Sequence, residues 1–199
     1  MQEIEAKFYV KDLKQIEARL HDLKARLKQP RIHETNIRFD TPNQDLHREQ
    51  RVLRLRQDDK VRMTYKDASK NEQGVLNRME IEFVVEDFER AKRLLEALGY
   101  EKSLFYEKYR TTYELDNTYV MLDELPMGSF IEIEGESIDS IREIGRKLGL
   151  KWDTAISTSY SALFERVRKA KAAQIEDLSF ENFEGMEVTK DELGVQPAD

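Results

Sequence analysis

Apolar and charged residues alternate strictly at the start of the chain. In Gln2-Glu3-Ile4-Glu5-Ala6-Lys7-Phe8, Glu3, Glu5 and Lys7 interleave with Ile4, Ala6 and Phe8. An extended strand sends successive side chains to opposite faces, so the period predicts one charged and one apolar face over residues 1–10. Asp12 is placed to cap a helix in which Leu13, Ile16, Leu20, Leu23 and Leu27 recur at helical spacing, with Gln29-Pro30 as its end. Strands are predicted over 31–41, 51–57, 61–66 and 76–85. They are separated by Thr41-Pro42-Asn43, by Asp58-Asp59-Lys60 and by a polar loop at 67–74. A second amphipathic helix spans 87–98, with Phe88, Ala91, Leu94, Leu95 and Leu98 on one face and Gly99 as its stop. Strands at 104–115 and 118–124 flank the hairpin signal Asp116-Asn117, and Pro126-Met127-Gly128 leads into a strand at 129–136. Helices at 139–148 and 157–171 follow. The pattern assigns one domain to residues 1–170. It leaves 171–199 as an acidic, Pro-containing tail with little periodicity, flexible or loosely docked.

The predicted strands share a property. Arg54 and Arg56 oppose Leu53 and Leu55; Arg62, Thr64 and Lys66 oppose Val61, Met63 and Tyr65; Arg78, Glu80 and Glu82 oppose Met79, Ile81 and Phe83. Lys108, Arg110, Thr112 and Glu114 oppose Tyr109, Thr111 and Tyr113, while Glu132, Glu134 and Glu136 oppose Ile131 and Ile133. An open antiparallel sheet with its charged face in water is one solution. The other is an α+β fold in which about eight strands close into an antiparallel barrel, removing exposed edges. Solvated strand faces favour Thr, Ser, Gln and Lys, whereas these rows concentrate Arg and paired Glu, which favours the barrel. Helices over the apolar outer face then leave the charged rows inside, where they must pair with one another or with a ligand. Tyr106, Tyr109 and Tyr113 are expected to pack on the outer face.

Composition narrows the chemistry. The 199 residues carry 33 basic and 40 acidic side chains, a net charge of -7. That balance lacks the broad basic footprint of a duplex nucleic-acid binder. No cysteine is present, which excludes a thiol nucleophile, a disulfide scaffold and Cys-ligated zinc. No apolar run suits a signal segment or membrane span, so a cytoplasmic protein without membrane contact is expected. A homodimer stays open. His21, His33 and His47 are isolated and read as structural or surface residues.

Carboxylates without thiols and with few imidazoles select hard cations such as Mg²⁺ or Mn²⁺. Glu3, Glu5, Glu132 and Glu134 form two Glu-x-Glu pairs that can bracket one or two ions, and Lys7, Arg54, Arg56, Lys66 and Arg110 supply complementary cations. Guanidinium forks and point-charge ammoniums suit phosphate oxygens, and a triphosphate with bound metal needs both signs. The competing reading pairs Arg54, Arg56 and Lys66 with Glu80 and Glu82 as inter-strand salt bridges. Lys108 stays open between phosphate contact and structural pairing. No Gly-rich phosphate loop, G-x-S-x-G or H-E-x-x-H is present.

Several motifs in consistent order carry a resemblance. They are Glu3-x-Glu5-x-Lys7, Asn36-x-Arg38-Phe39-Asp40-Thr41-Pro42, Leu53-Arg54-Leu55-Arg56, Thr64-Tyr65-Lys66 and Arg78-x-Glu80-x-Glu82. Lys108-Tyr109-Arg110, Leu122-Asp123, Gly128-x-Phe130-x-Glu132-x-Glu134 and Ser159-Tyr160-x-x-Leu163 complete the set. The ordered set resembles the CYTH family, the triphosphate tunnel metalloenzymes. The resemblance implies an eight-stranded barrel enclosing a tunnel and a divalent-metal-dependent reaction on a small-molecule triphosphate. It implies Glu3, Glu5, Asp123, Glu132 and Glu134 as metal ligands, with Glu80 and Glu82 serving a second metal or supporting its ligands. Periodicity leaves Asp123 and Glu124 undecided, so Asp123 rests on the resemblance. Lys7, Arg54, Arg56, Lys66 and Arg110 would grip phosphates, joined by Lys108 and by Arg38, which stands where many relatives have an aromatic. Glu3, Glu5 and Lys7 would form the catalytic heart.

Three functions follow as expectations. The first is hydrolysis of inorganic tripolyphosphate, thiamine triphosphate or a nucleoside triphosphate. The second is a class IV adenylyl cyclase forming cAMP and pyrophosphate. Such cyclases tend to carry a short histidine-containing segment ahead of Glu-x-Glu-x-Lys, and the chain starts only two residues before that motif, which leans the expectation to hydrolysis. The third is a polyphosphate-binding module without turnover.

Overall fold

The structure is a computed structural model describing residues 2–171 and 175–199. Met1 and residues 172–174 of the expected tail lie outside the described residues. Nine strands occur: β1 (Gln2–Val10), β2 (Arg26–Asp40), β3 (Val52–Gln57), β4 (Val61–Lys66), β5 (Lys70–Glu72), β6 (Val75–Val85), β7 (Glu101–Leu115), β8 (Thr118–Leu125) and β9 (Gly128–Glu134). The sheet order is β1-β9-β8-β7-β2-β3-β4-β6-β5, and β1 also pairs with β6. Every pairing is antiparallel. That extra pairing closes eight strands into a barrel, while short β5 continues the line of β4 along the same edge of β6. The open-sheet alternative is thereby excluded.

Helices sit outside the ring: α1 (Leu13–Asp22), α2 (Asp45–Arg48), α3 (Phe88–Ala97), α4 (Ile138–Lys147), α5 (Tyr160–Lys171) and α6 (Lys190–Leu193). Asp12 caps α1 by accepting from the Lys14 and Gln15 amides, Asp87 caps α3 through the Arg90 amide, and Ser137 caps α4 through the Ser140 amide. Each cap satisfies backbone donors that the helix leaves unpaired. The apolar strand faces meet these helices. Phe8, Ile131 and Ile133 lie with Ile16, Leu20, Ile141 and Ile144 in one cluster, and Ile37, Phe39 and Leu55 lie with Ala91 and Leu95 in another. Burying each such side chain contributes roughly 1.5–3 kcal/mol, so the outward apolar rows hold the helices on and turn the charged rows inward.

Four expectations need correction. The first helix stops at Asp22, because Lys24 adopts φ +59° and Arg26 onward pairs with β7. Leu23 becomes the cap position and Leu27 a half-exposed strand residue opposite Tyr113. Pro30 falls inside β2 at a register shift between Gln29 and Ile32, where a missing N–H disrupts no ladder bond. Secondly, helices do not cover the whole outer face: Met79, Ile81 and Phe83 on β6 are 42%, 50% and 52% exposed. Thirdly, β5 forms within the polar loop expected over 67–74, and α2 forms just after the expected turn at Thr41-Pro42-Asn43, where no helix was expected.

The fourth concerns the last residues. Over 175–199 the chain is held to the barrel. Ile175, Leu178, Phe183, Leu193 and Val195 join Leu163, Phe164 and Phe130 in a third buried cluster. The Ala198 amide donates to the Tyr9 carbonyl at 2.9 Å, and the Asp199 carboxylate accepts from the Lys11 and Asp12 amides at 3.0 Å. The apolar spacing that drives this docking follows no helical or strand period, so periodicity could not reveal it. No helix among the described residues is long and apolar enough to cross a membrane.

Candidate active site

The barrel encloses a cavity of about 640 Å³. Fourteen charged side chains line it, eight cationic and six acidic, so the charged rows do converge on an interior. Their placement follows strand order. Glu3 and Glu5 on β1, Glu132 and Glu134 on β9, and Glu80 and Glu82 on β6 come from three adjacent strands. Arg38 on β2, Arg54 and Arg56 on β3, and Lys108 and Arg110 on β7 come from three adjacent strands opposite. The cavity thus has an acidic wall, in which Lys7 and Arg78 are interspersed, and a basic wall whose lining charges on β2, β3 and β7 are all cationic.

On the basic side lies a buried network. Asp123 is fully buried and accepts from Lys108 Nζ at 2.8 Å, Arg110 Nε at 2.6 Å and Tyr160 Oη at 3.0 Å. Its β8 register opposite Arg110 turns it inward, while neighbouring Glu124 faces out and pairs with Arg31 at 2.7 Å. With its oxygens taken by three donors, Asp123 in this arrangement positions cations. Arg110 also reaches Glu132, which pairs with Lys7 at 3.2 Å. Burial opposes ionisation of Glu132, but Lys7, Arg110 and Lys108 outweigh it and hold the carboxyl well below the usual range. Glu34 is 1% exposed and lies 3.6 Å from Lys108 and 3.9 Å from both Arg56 and Arg110. Despite burial, these cations bring its pKa down to about 2. Burial and the neighbouring acids raise the Tyr160 phenol well above its ordinary pKa, which keeps it a hydrogen-bond donor.

The acidic wall is less settled. Glu3 is matched: Lys66 Nζ lies 2.5 Å and Arg78 Nε 2.8 Å from its oxygens, and together they overcome burial to set its pKa at about 2. Glu5 sits directly across the ladder from Glu134. Burial, then Glu132 and Glu3, push the Glu5 pKa up; burial, then Glu3 and Glu5, push Glu134 up to about 7. The nearest cation to Glu5 is Arg78, at 3.7 Å. Lys66 also approaches Glu80 at 3.3 Å, and Arg56 approaches Glu82 at 3.1 Å, so the expected inter-strand salt bridges do form. Among the described residues no three carboxylates or imidazoles are drawn into a ready coordination cluster.

A CYTH domain model matches residues 1–160 of the sequence. The chain belongs to the CYTH family. A candidate adenylate cyclase of Methanocaldococcus jannaschii is 25% identical over 174 residues, covering 82% of this chain and 98% of the relative. A solved structure from Pyrococcus horikoshii superposes with TM-score 0.69 at 27% identity, covering 79% of this chain and 96% of that one. A Hippeastrum structure, described as a candidate adenylyl cyclase that reveals a dominant triphosphatase activity, superposes with TM-score 0.61 at 18% identity, covering 82% of this chain and 95% of that one. At that identity the likeness is one of fold.

All the site residues singled out in the sequence except Asp123 line this CYTH cavity directly, and Asp123 sits immediately behind it. The reading missed five participants. Arg78 shares a strand face with Glu80, so its signal was present but unassigned. Glu34 and Asn36 share parity with Arg38 on β2 in the same way. Tyr106, expected outside, has the parity of Lys108 and lies in the cavity wall, where Arg54 donates to its hydroxyl at 3.3 Å. Tyr160 enters from the start of α5, with Lys7 4.2 Å from its ring centre. No strand period could have placed it.

Proposed function

We propose that this protein hydrolyses a terminal phosphoanhydride bond of a small-molecule triphosphate with the help of Mg²⁺ or Mn²⁺. The observation that carries this reading is the opposition of an acid-rich and a basic wall across one barrel cavity. A polyanion accompanied by divalent cations is the ligand class that satisfies both at once. The donor chemistry fits such a cation: the available ligands are carboxylate oxygens, and the crowding of Glu5 and Glu134 is a local excess of negative charge. Glu5 and Glu134 would hold the ion, with Glu132 and Glu3 beside them. A bound divalent ion supplies charge neutralisation at phosphate oxygens and a lowered pKa for coordinated water.

The chain's own residues do the rest. Arg54, Arg56 and Arg110 present guanidinium forks to phosphate oxygens, and Lys7, Lys66 and Lys108 add point charges. Asp123 and Tyr160 fix Lys108 and Arg110 in advance, so little ordering is left for the moment of binding. The closed wall limits bulk water around the reacting bond, which strengthens every charge interaction inside.

Purified protein with Mg²⁺ or Mn²⁺ should release orthophosphate from tripolyphosphate, and Glu5→Gln should abolish release while the fold is retained. Full turnover in that variant would remove the acidic wall from the reaction. The name of the M. jannaschii relative favours a second reading, cyclisation of ATP. Product analysis separates the two, since cAMP with pyrophosphate marks a cyclase and orthophosphate a hydrolase. Tight binding without either product would mark a polyphosphate-binding module.

A further inference from the structure

Eight cationic side chains line the cavity, and seven of them have a carboxylate within ion-pair distance. Lys7 has Glu132, Lys66 and Arg78 have Glu3, Arg54 and Arg56 have Glu82, and Lys108 and Arg110 have Asp123. Among the described residues Arg38 is the exception. Its Nη1 donates only to the Ser161 hydroxyl, which in turn shares a hydrogen bond of 2.8 Å with Ser159. Its cross-strand partner on β3 is Arg54, another cation. Next to it on the same face of β2, Asn36 is fully buried with neither side-chain oxygen nor nitrogen paired. The Nε of Arg54 is likewise buried and unpaired. Burial, together with Arg54 and Arg78, lowers the hold of Arg38 on its proton, and Tyr106 and Asp40 only partly offset them. Positive charge is in surplus around Arg38, with Arg54 across the strand pair.

The chemistry of the possible occupants differs at one point. The terminal phosphoryl of a nucleoside or thiamine triphosphate carries its full double charge only at the free end, because the other end is esterified. Unsubstituted tripolyphosphate has two such ends. An organic substituent would instead ask for an open, continuous aromatic or apolar platform. Both rings in the cavity wall are already engaged: the Tyr106 hydroxyl accepts from Arg54, and Tyr160 has Lys7 over its ring and Phe130 against it. The apolar lining residues Val52, Ile81 and Met121 come from three strands that are not neighbours.

We propose that Arg38, with Ser161 beside it, reads the second free phosphoryl end of the substrate and so selects unsubstituted inorganic polyphosphate over esterified triphosphates. This rests on the triphosphatase reading above and deepens it. The test compares kcat/KM for tripolyphosphate and ATP in wild type, Arg38→Met and Arg38→Lys, with calorimetric binding of both anions alongside. Wild type should favour tripolyphosphate. Arg38→Met should lower the tripolyphosphate-to-ATP ratio by about 10- to 100-fold, the usual size of a lost charge-assisted hydrogen bond, and Arg38→Lys should restore part of it. Thermal unfolding should show Arg38→Met at least as stable as wild type, since no ion pair is broken. A wild type that prefers ATP, or a ratio unmoved in Arg38→Met, overturns the role of Arg38 and leaves the hydrolase standing. If the anions bind without turnover, the same ratio is read from their Kd values. A protein that neither binds nor cleaves either anion removes the hydrolase itself, and this role falls with it.

Discussion

Two parts of the cavity, the Asp123 network and the Glu5–Glu134 pair, are built on opposite principles. Around Asp123 every charge is answered: Lys108, Arg110 and Tyr160 converge on it, and Glu34 sits among three cations. Across the barrel, Glu5 faces Glu134 over a strand pair, and both carboxyls are driven toward protonation. Like charges directly opposite in a sheet are destabilising. The Asp123 network therefore contributes to the fold, and the Glu5–Glu134 pair is held in place by the fold at some cost. Active sites commonly trade stability in this way.

The sharpest way to break this contrast is substitution at Glu5. Glu5→Gln should lower tripolyphosphate turnover by at least ~100-fold, the scale seen for losing one preorganised charge contact. The same change should raise stability by roughly 0.2–1 kcal/mol in denaturant titration, by relieving the cross-strand repulsion. Stabilisation by added Mg²⁺ should shrink with it, because only the folded wild type gains the full binding term.

The opposite wall should respond in the opposite sense. Asp123→Asn leaves Lys108 and Arg110 buried with a weaker partner and should cost about 3–5 kcal/mol of stability, measured by chemical unfolding. A gain in stability there would show that the network is not structural.

Glu34 offers a pH test. Its folded pKa of about 2 lies below the ordinary 4.5, so its stabilising contribution is complete above pH 4.5 and drains away as pH falls toward 2. Glu34→Gln should be less stable than wild type at neutral pH and should lose less stability over that acid window. Parallel acid-unfolding curves for the two proteins would contradict the assignment.

The smallest effect belongs to the uncovered outer row. Phe83→Lys changes a half-exposed side chain and should move stability by no more than about 0.5 kcal/mol and leave turnover intact. A large loss of either would mean that this face is occupied in solution.

Strand parity made much of the barrel legible. Glu3, Glu5 and Lys7, the Arg54–Arg56 pair and Glu132–Glu134 could be assigned to one face from a period of two, and the pairing registers keep them there. Two kinds of failure stand out. Tyr106 was placed outside by its aromatic character although its parity matched Lys108, so the period was the better guide. Leu23 and Leu27 fit a helical period, yet β7 pairing claimed that stretch for a strand, a case of tertiary contact overriding local pattern. Tyr160 and the docking of 175–199 depend on contacts between distant segments, which no window along the chain contains. The choice between Asp123 and Glu124 was likewise a matter of register across β7 and β8, visible only once the partner strands are aligned.

The closure of the ring has a kinetic consequence. Residues 2–5 find partners at 76–79, and residues 5–10 find theirs at 129–134. Strand β1 must wait for β6 and β9, far along the chain, before it can be seated, and such distant pairings are slow to form. Glu3, Glu5 and Lys7 thus meet the opposite side only once those distant pairings form, so the charged cavity is completed in the same event that seals the cylinder.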